Sequence, residues 1–260
     1  MLNNYLVVEK KDSIATLFIN RPEKKNAFTL EMWTSIPRII QQLDEDNDVK
    51  VLVIRGINET AFAAGADISE FTTVRSTVEG EQAYNEAVGL AEKAILNFSK
   101  PSIAMIQKYC IGGGCLIALA CDLRFSSESG LFAITPAKLG IIYTFQGTKN
   151  LVDLVGLSRA KDLLYSSRQI SVFEAYSYGL VDRIFADEEI VSKTYEYVKL
   201  LTSNSTQSVR GSKKIINDIV HGSFDESEEI KQMIVDSYGS TDYQEGIRAF
   251  LEKRKPVFKK

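Results

Sequence analysis

The chain has 260 residues, 45% hydrophobic and 25% charged, with a net charge of -3 and a pI near 5.5. This suffices for a full hydrophobic core in one large domain or two small ones. The faintly acidic balance speaks against a nucleic-acid binder, no apolar run reaches the roughly 18–20 residues of a membrane span, and the start "MLNNYLVVEKKDS" lacks the basic-then-apolar pattern of a secretion signal.

Residues 5–9 and 13–20 alternate in hydropathy and predict a hairpin joined by the charged "KKDS". A loop, "RPEKKNAFT" at 21–29, follows. Thr29 then caps a helix running to about Leu43, with Met32, Trp33, Ile36, Ile39, Ile40 and Leu43 on one face. Pro37 within it predicts a kink or a break. "VKVLVIRG" at 49–56 predicts a buried strand, followed by the small-residue loop "TAFAAGADIS" at 60–69. A second helix is expected from about Gly80 to Asn97, with Ala83, Ala87, Leu90, Ala94 and Ile95 turned inward. Pro101 ends that region, and the buried strand "SIAMIQ" leads into "GGGCLIALACD" at 112–122, a glycine turn and a short apolar helix. "DLRFSS" and "GLFAIT" read as a strand pair. From about Glu188 the patterns are helical with no strand between them. The expected fold is therefore α/β, with a core over 1–190 and a helical C-terminal segment over 191–260.

Backbone N–H groups at a helix start lack internal partners and lie at the positive end of the helix dipole. Glycine lets a ligand approach them without a side chain in the way. The turn at Gly112, Gly113 and Gly114 therefore suits an anionic oxygen, although tight packing of helix on strand explains three glycines equally well. The spacing is not G-x-G-x-x-G, and no ribose-binding acid follows, so dinucleotide binding is set aside. The loop "FAAGADI" at 62–68 also follows a buried strand and offers another N–H. Cys110, Cys115 and Cys121 lie in apolar sequence with no C-x-x-C pair, which predicts neither disulfides nor zinc but buried thiols in a reducing cytoplasm. The single histidine, His221, sits in a polar helical pattern and reads as a surface residue. That weighs against Ser–His–Asp and Cys–His mechanisms and against a cluster of His metal ligands.

Six stretches, "NRPEKKNAF", "AFAAGADISEF", "IGGGCLIALACDLR", "AKLGI", "A-x-x-x-GLVD" and "DYQEGIRAFLEKRKPVF", resemble in content and order the crotonase family of enoyl-CoA hydratases and isomerases, from about residue 14 to the end. The resemblance implies a crotonase-like spiral of ββα units and a helical trimerisation segment, hence a homotrimer or dimer of trimers. It implies an acyl-CoA substrate, with coenzyme A as part of that substrate and no separate cofactor or metal. It also implies a thioester carbonyl held by two backbone N–H groups, carried over here onto Ala64 and Gly113, with Gly65, Ala66 and Asp67 beside them. Fixed donors favour the charge that an enolate develops on oxygen, typically by about 2.7–4 kcal/mol each. The loop "RPEKKNAF" resembles the family's coenzyme A segment and places Lys24, Lys25 and Ala27 near the nucleotide end. The basic end "EKRKPVFKK" resembles a segment that approaches the coenzyme A of a neighbouring subunit.

Two proton carriers of the family's pattern are replaced. The glutamate expected after the glycine turn is Leu116, and alignment on Leu139 and Gly140 puts Pro136 at the second. Hydration needs an acid and a base, and a double-bond shift needs at least one proton carrier. Glu70 and Asp122 are candidates, each more readily read as structural. Loss of carbon dioxide from a malonyl-type thioester needs the oxyanion hole but no base. "TPAKLGIIY" at 135–143 also resembles the matching stretch of methylmalonyl-CoA decarboxylase, a member of the same family, through Thr135 and Tyr143. Tyr143, neutral at pH 7, is suited to donate to a carboxylate or to help return a proton, and is otherwise a packing tyrosine. That decarboxylase differs in keeping an acid at the place of Leu116 and a histidine at that of Ala66. Three readings stay open: a decarboxylase-like lyase, slightly favoured; a hydratase or isomerase with a relocated acid; and a non-catalytic acyl-CoA-binding protein.

Overall fold

The computed structural model describes residues 4–258; Lys259 and Lys260 of the basic end lie outside the described residues. The expected hairpin forms from β1 (Leu6–Lys11) and β2 (Ile14–Ile19), reversing at Asp12 and Ser13 with φ of 52° and 64°, the left-handed pair that suits a two-residue hairpin turn. β3 (Val51–Gly56), β4 (Ser102–Ile106), β6 (Leu123–Ser127) and β9 (Arg183–Phe185) extend it in parallel, giving the order β1-β2-β3-β4-β6-β9. A second sheet holds β5 (Tyr109–Ile111), β7 (Leu131–Ala133) and β8 (Ile170–Ser171). The expectation that "DLRFSS" and "GLFAIT" pair with each other is corrected. β6 lies between β4 and β9, and β7 pairs with β5 and β8 in the other sheet.

α1 (Leu30–Glu45) starts where Thr29 Oγ1 accepts from Met32 N at 3.3 Å, and all six expected inward side chains are buried. It runs through Pro37 without the expected break. Proline inside a helix costs about 3 kcal/mol, whereas each fully buried large apolar side chain contributes about 1.5–3 kcal/mol. Six of them outweigh the one lost hydrogen bond. α2 (Val78–Leu96) is capped by Thr77, whose Oγ1 accepts from Gly80 N at 3.1 Å. Its buried stripe is Tyr84, Ala87, Val88, Ala91, Glu92 and Ile95, rotated from the expected one, with Leu90 53% exposed and Ala83 outside. The rotation follows from packing on both α1 and α3 (Gly113–Ala120), which is buried from Gly114 onward.

On the other face of the large sheet, Ile14, Val51, Val53, Ile103, Met105 and Phe125 meet Ile190 and Val198 of α7 (Ile190–Thr202). α4 (Phe145–Val155) and α5 (Leu157–Ser166) pack together beside α3, and α6 (Val172–Ser177) leads to β9. Beyond α7, α8 (Thr206–Val220), α9 (Glu228–Tyr238) and α10 (Thr241–Leu251) bury few residues. That end leaves Ile219, Phe224, Tyr238, Phe250 and Leu251 exposed. All three cysteines are buried free thiols, and His221 is exposed at the end of α8. No helix among the described residues is long and apolar enough to cross a membrane.

Candidate active site

The glycine turn stands between β5 and α3. Gly112 (φ 51°) donates its N–H to Ala133 O at 2.8 Å, Ile111 N donates to Ala63 O at 2.9 Å, and Ala63 N donates to Tyr109 O at 2.9 Å. The first bond ties the turn to β7, and the other two lace the small-residue loop to β5. A Cβ on Gly114 would lie 2.5 Å from Ala63 O, and one on Gly113 2.9 Å from Trp33 Cζ2. Tight packing thus requires glycine there, whatever else the turn does.

The same bonds settle which N–H groups are free. Ala64 donates its N–H to Lys25 O at 2.9 Å, so the expectation that it serves as an oxyanion donor is corrected. A parallel bridge between Phe28 and Ala66 uses Phe28 N to Gly65 O and Asp67 N to Phe28 O, both 2.8 Å. It passes over Ala66, whose N–H has no acceptor among the described residues. Gly113 N, at the start of α3, has none either. Gly65 (φ 105°) brings the two together, since its Cβ position would lie 3.8 Å from Gly113 N. Gly65 N also lacks an acceptor among the described residues, so the cleft wall offers the N–H groups of Gly65, Ala66 and Gly113, with Ala66 and Gly113 drawn from the two facing loops. Nothing in the local sequence distinguishes Ala64 from Ala66, because the choice depends on a bridge to residues almost forty positions earlier.

The cleft between them holds about 130 Å³. Trp33 forms part of its wall and donates Nε1–H to the Tyr84 hydroxyl at 2.9 Å; burial pushes that hydroxyl up to about 12. Leu116 and Pro136 both line it, and no carboxylate does among the described residues. Among the described residues the wall carries one charged side chain, Arg75, stacked on Phe71 at 4.2 Å and Tyr84 at 4.3 Å. Arg75 pairs with Glu81 through Nε and Nη2, leaving Nη1 without an acceptor among the described residues. Thr135 lines the cleft beside Gly112, its Oγ1 3.5 Å from that residue's Cβ position. Tyr143 also lines it and donates its hydroxyl to Gly112 O at 3.4 Å; burial, with nearby Cys115 and Glu92, drives that hydroxyl well above its ordinary value, so it stays neutral.

Lys24, Ala27 and Asp67 do not lie on this wall. Lys24 is exposed on a turn, and Lys25 stacks its ammonium 4.6 Å over the Tyr109 ring. Ala27 O accepts from Arg21 Nη1 at 2.7 Å, and Asp67 pairs with Arg21 Nη2 at 2.9 Å, both partners nearly buried. Burial raises the Asp67 carboxyl, but the hydrogen bonds from Ser69 and Arg21 outweigh it and hold it below its ordinary value. Asn26 Oδ1 accepts from Arg21 N at 2.8 Å, while its Nδ2 donates to Ala61 O at 2.7 Å. Segment 21–28 is thereby stitched to segment 61–67. Glu70 accepts from Leu30 N at 2.8 Å, at the start of α1, and Asp122 accepts from Ser102 N and pairs with Lys213 at 2.8 Å. Both are structural.

One buried acid was missed. Glu92 is fully buried, and its Oε2 accepts from Thr144 Oγ1 at 3.1 Å. Burial pushes its carboxyl up to about 7 against the pull of that hydroxyl. Its other oxygen, Oε1, is buried with no partner among the described residues. Reading Tyr84, Val88, Ala91 and Ile95 as the inner stripe, at the same helical period, would have placed Glu92 inside.

The profile of the family described as Enoyl-CoA hydratase/isomerase matches residues 9–260. Crotonyl-CoA hydratase from Syntrophomonas wolfei is 33% identical over 260 residues, covering 97% of each chain. Short-chain-enoyl-CoA hydratase from Clostridium acetobutylicum is 31% identical over 255 residues, covering 98% of this chain and 97% of the relative. The crystal structure of an enoyl-CoA hydratase from Bacillus anthracis superposes with a TM-score of 0.90 at 30% identity, over 98% of this chain and 99% of that one.

Proposed function

We propose, from the premise that the chain belongs to the enoyl-CoA hydratase/isomerase family, that it binds an acyl-CoA thioester with its carbonyl oxygen between the N–H groups of Ala66 and Gly113 and turns it over through the enolate. The observation that carries this reading is a pair of unpartnered backbone donors on a cleft wall that holds no carboxylate. Donors fixed before the reaction need not reorient as charge builds on oxygen.

Within that chemistry a decarboxylase-like lyase fits best. The C–C bond to the carboxylate of a malonyl-type thioester breaks, its electron pair enters the enolate, carbon dioxide leaves, and the α-carbon then takes a proton. Leu116 and Pro136 keep negative charge away from the substrate carboxylate, and the free Nη1 of Arg75 attracts it. The neutral hydroxyls of Tyr143 and Thr135 supply hydrogen bonds beside Gly112. The names of the relatives favour a second reading, hydration or isomerisation of an enoyl-CoA, which needs a proton carrier within reach. Exposed Lys24, with Ala27 beside it, suits the nucleotide end of coenzyme A. The apolar side chains exposed on the C-terminal helices suit a trimer or a dimer of trimers, and three buried free thiols suit the cytoplasm.

Carbon dioxide release from methylmalonyl-CoA and loss of ultraviolet absorbance from crotonyl-CoA separate the two reactions. Tyr143→Phe slows the decarboxylation if its hydroxyl takes part. Tight acyl-CoA binding with no turnover of either thioester makes the chain a binding protein. Failure to bind any acyl-CoA removes the proposal altogether.

A further inference from the structure

We propose that Glu92 is the proton carrier of this cleft, exchanging a proton with the α-carbon of the bound thioester through the hydroxyl of Thr144. This rests on the reading that the cleft binds acyl-CoA thioesters.

Tyr84, Val88 and Glu92 follow one another at four-residue steps along α2 and so share a face. The first two line the cleft, and Glu92 continues the same stripe one turn deeper. Its carboxyl meets the cleft at Thr144, which lines the wall and donates its hydroxyl to Glu92 Oε2. Leu116 Cδ2 and Thr144 Oγ1 both lie within 3 Å of the point a Cβ on Gly147 would occupy, at 2.3 and 2.8 Å. The carboxyl therefore enters from a neighbouring helix beside the apolar side chain of Leu116. Its partnerless Oε1 is an acceptor that a purely structural glutamate would leave unsatisfied at a cost of about 1–3 kcal/mol.

The proton balance is simple. As a base, ionised Glu92 takes the hydroxyl proton of Thr144 while that oxygen takes the α-proton, and the C–H pair becomes the enolate held by Ala66 and Gly113. In reverse, a new C–H bond forms at the α-carbon and Glu92 returns to the carboxylate. Of the elements packed on α2, α3 carries no charged side chain, α4 is preceded by Thr144 and neutral Tyr143, and α1 places no charge that contributes to the ionisation of Glu92. Burial raises the carboxyl to about 7, so both protonation states are populated near neutrality.

The test is deuterium uptake at the α-carbon of butyryl-CoA in heavy water, followed by mass spectrometry, with calorimetric binding of the same thioester measured alongside. The wild-type chain is expected to exchange, at a rate that rises with pH and levels off above about 7. Glu92→Gln keeps the shape and the acceptor for Thr144 and is expected to lose about 10²–10⁴-fold in exchange, with binding held within about twofold and the pH dependence gone. Glu92→Asp should recover part of the rate, and Thr144→Val should lose most of it. Binding with no exchange, or exchange in Glu92→Gln equal to wild type, overturns the inference and leaves acyl-CoA binding intact. No binding of butyryl-CoA by the wild-type chain overturns both.

Discussion

Replacing Ala66 by proline would remove one of the two donors assigned to the thioester oxygen and no existing backbone bond. The bridge beside it runs through Phe28 N, Gly65 O, Asp67 N and Phe28 O, so the Ala66 N–H is not part of the ladder. Losing one oxyanion donor typically costs about 2.7–4 kcal/mol in the transition state, or about 10²–10³ in rate. The contrasting change is Ala64→Pro, which breaks the 2.9 Å bond to Lys25 O. A hydrogen bond of that kind contributes about 0.5–1.5 kcal/mol to folding. At about 2–4 °C per kcal/mol for a chain near this size, the melting temperature falls by a few degrees, while enolate formation changes by less than about tenfold. Deuterium uptake by butyryl-CoA and the carbonyl stretch of the bound thioester in difference Raman spectra give the two readouts. The carbonyl band should move back toward its free position in Ala66→Pro only. Equal losses in the two variants, or the larger loss at Ala64, would refute the assignment of Ala66.

Gly113→Ala places a methyl 2.9 Å from Trp33 Cζ2, and that indole is fixed by Tyr84 at 2.9 Å and by Phe28 with ring centroids 4.4 Å apart. The overpacking should cost about 1–3 kcal/mol, read as a lower melting temperature and weaker acyl-CoA binding; unchanged values would mean that the indole yields. Glu92 keeps its proton up to about 7 in the folded chain against an ordinary 4.5. The folded state thus binds more protons between those values, and stability falls as pH rises across that window. Glu92→Gln removes that fall and should gain on the wild type by up to about 3 kcal/mol above pH 7; a difference that does not grow from pH 4.5 to 7 counts against a protonated Glu92. Arg75→Met should weaken malonyl-CoA binding at least about tenfold more than butyryl-CoA binding, by calorimetry, because only the first carries a carboxylate for Nη1. Equal weakening of both would assign Arg75 to packing with Phe71 and Tyr84.

The inward face of α1 was legible because a single helix lying on a single core obeys one period, and all six expected side chains are buried. α2 was misread because it packs on both α1 and α3, which turned Leu90 outward and took Glu92 in. Propensity places a glutamate outside unless a tertiary partner is known, and Thr144 lies 52 positions away. The glycine turn and the apolar substitutions at Leu116 and Pro136 were visible as residue types. The donor at Ala66 was not, because an N–H has no letter of its own and its freedom depends on which neighbours Phe28 engages. β6 and β7 were recognisable as strands but not as members of different sheets, since pairing is set by β4, β5, β8 and β9.

The stitching of residues 21–28 to 61–67 gives distant positions a hold on the chemistry. Arg21 and Asp67 form a nearly buried ion pair; removing one partner of such a pair commonly costs about 3–5 kcal/mol, because the other charge is stranded. Asn26 ties the same two segments from its side chain. A mutational screen scored by turnover would therefore flag Arg21 and Asn26 as strongly as Gly113, although neither touches the cleft. The functional footprint drawn by such a screen would trace the scaffold that aims one amide, and would extend well past the surface that meets the ligand.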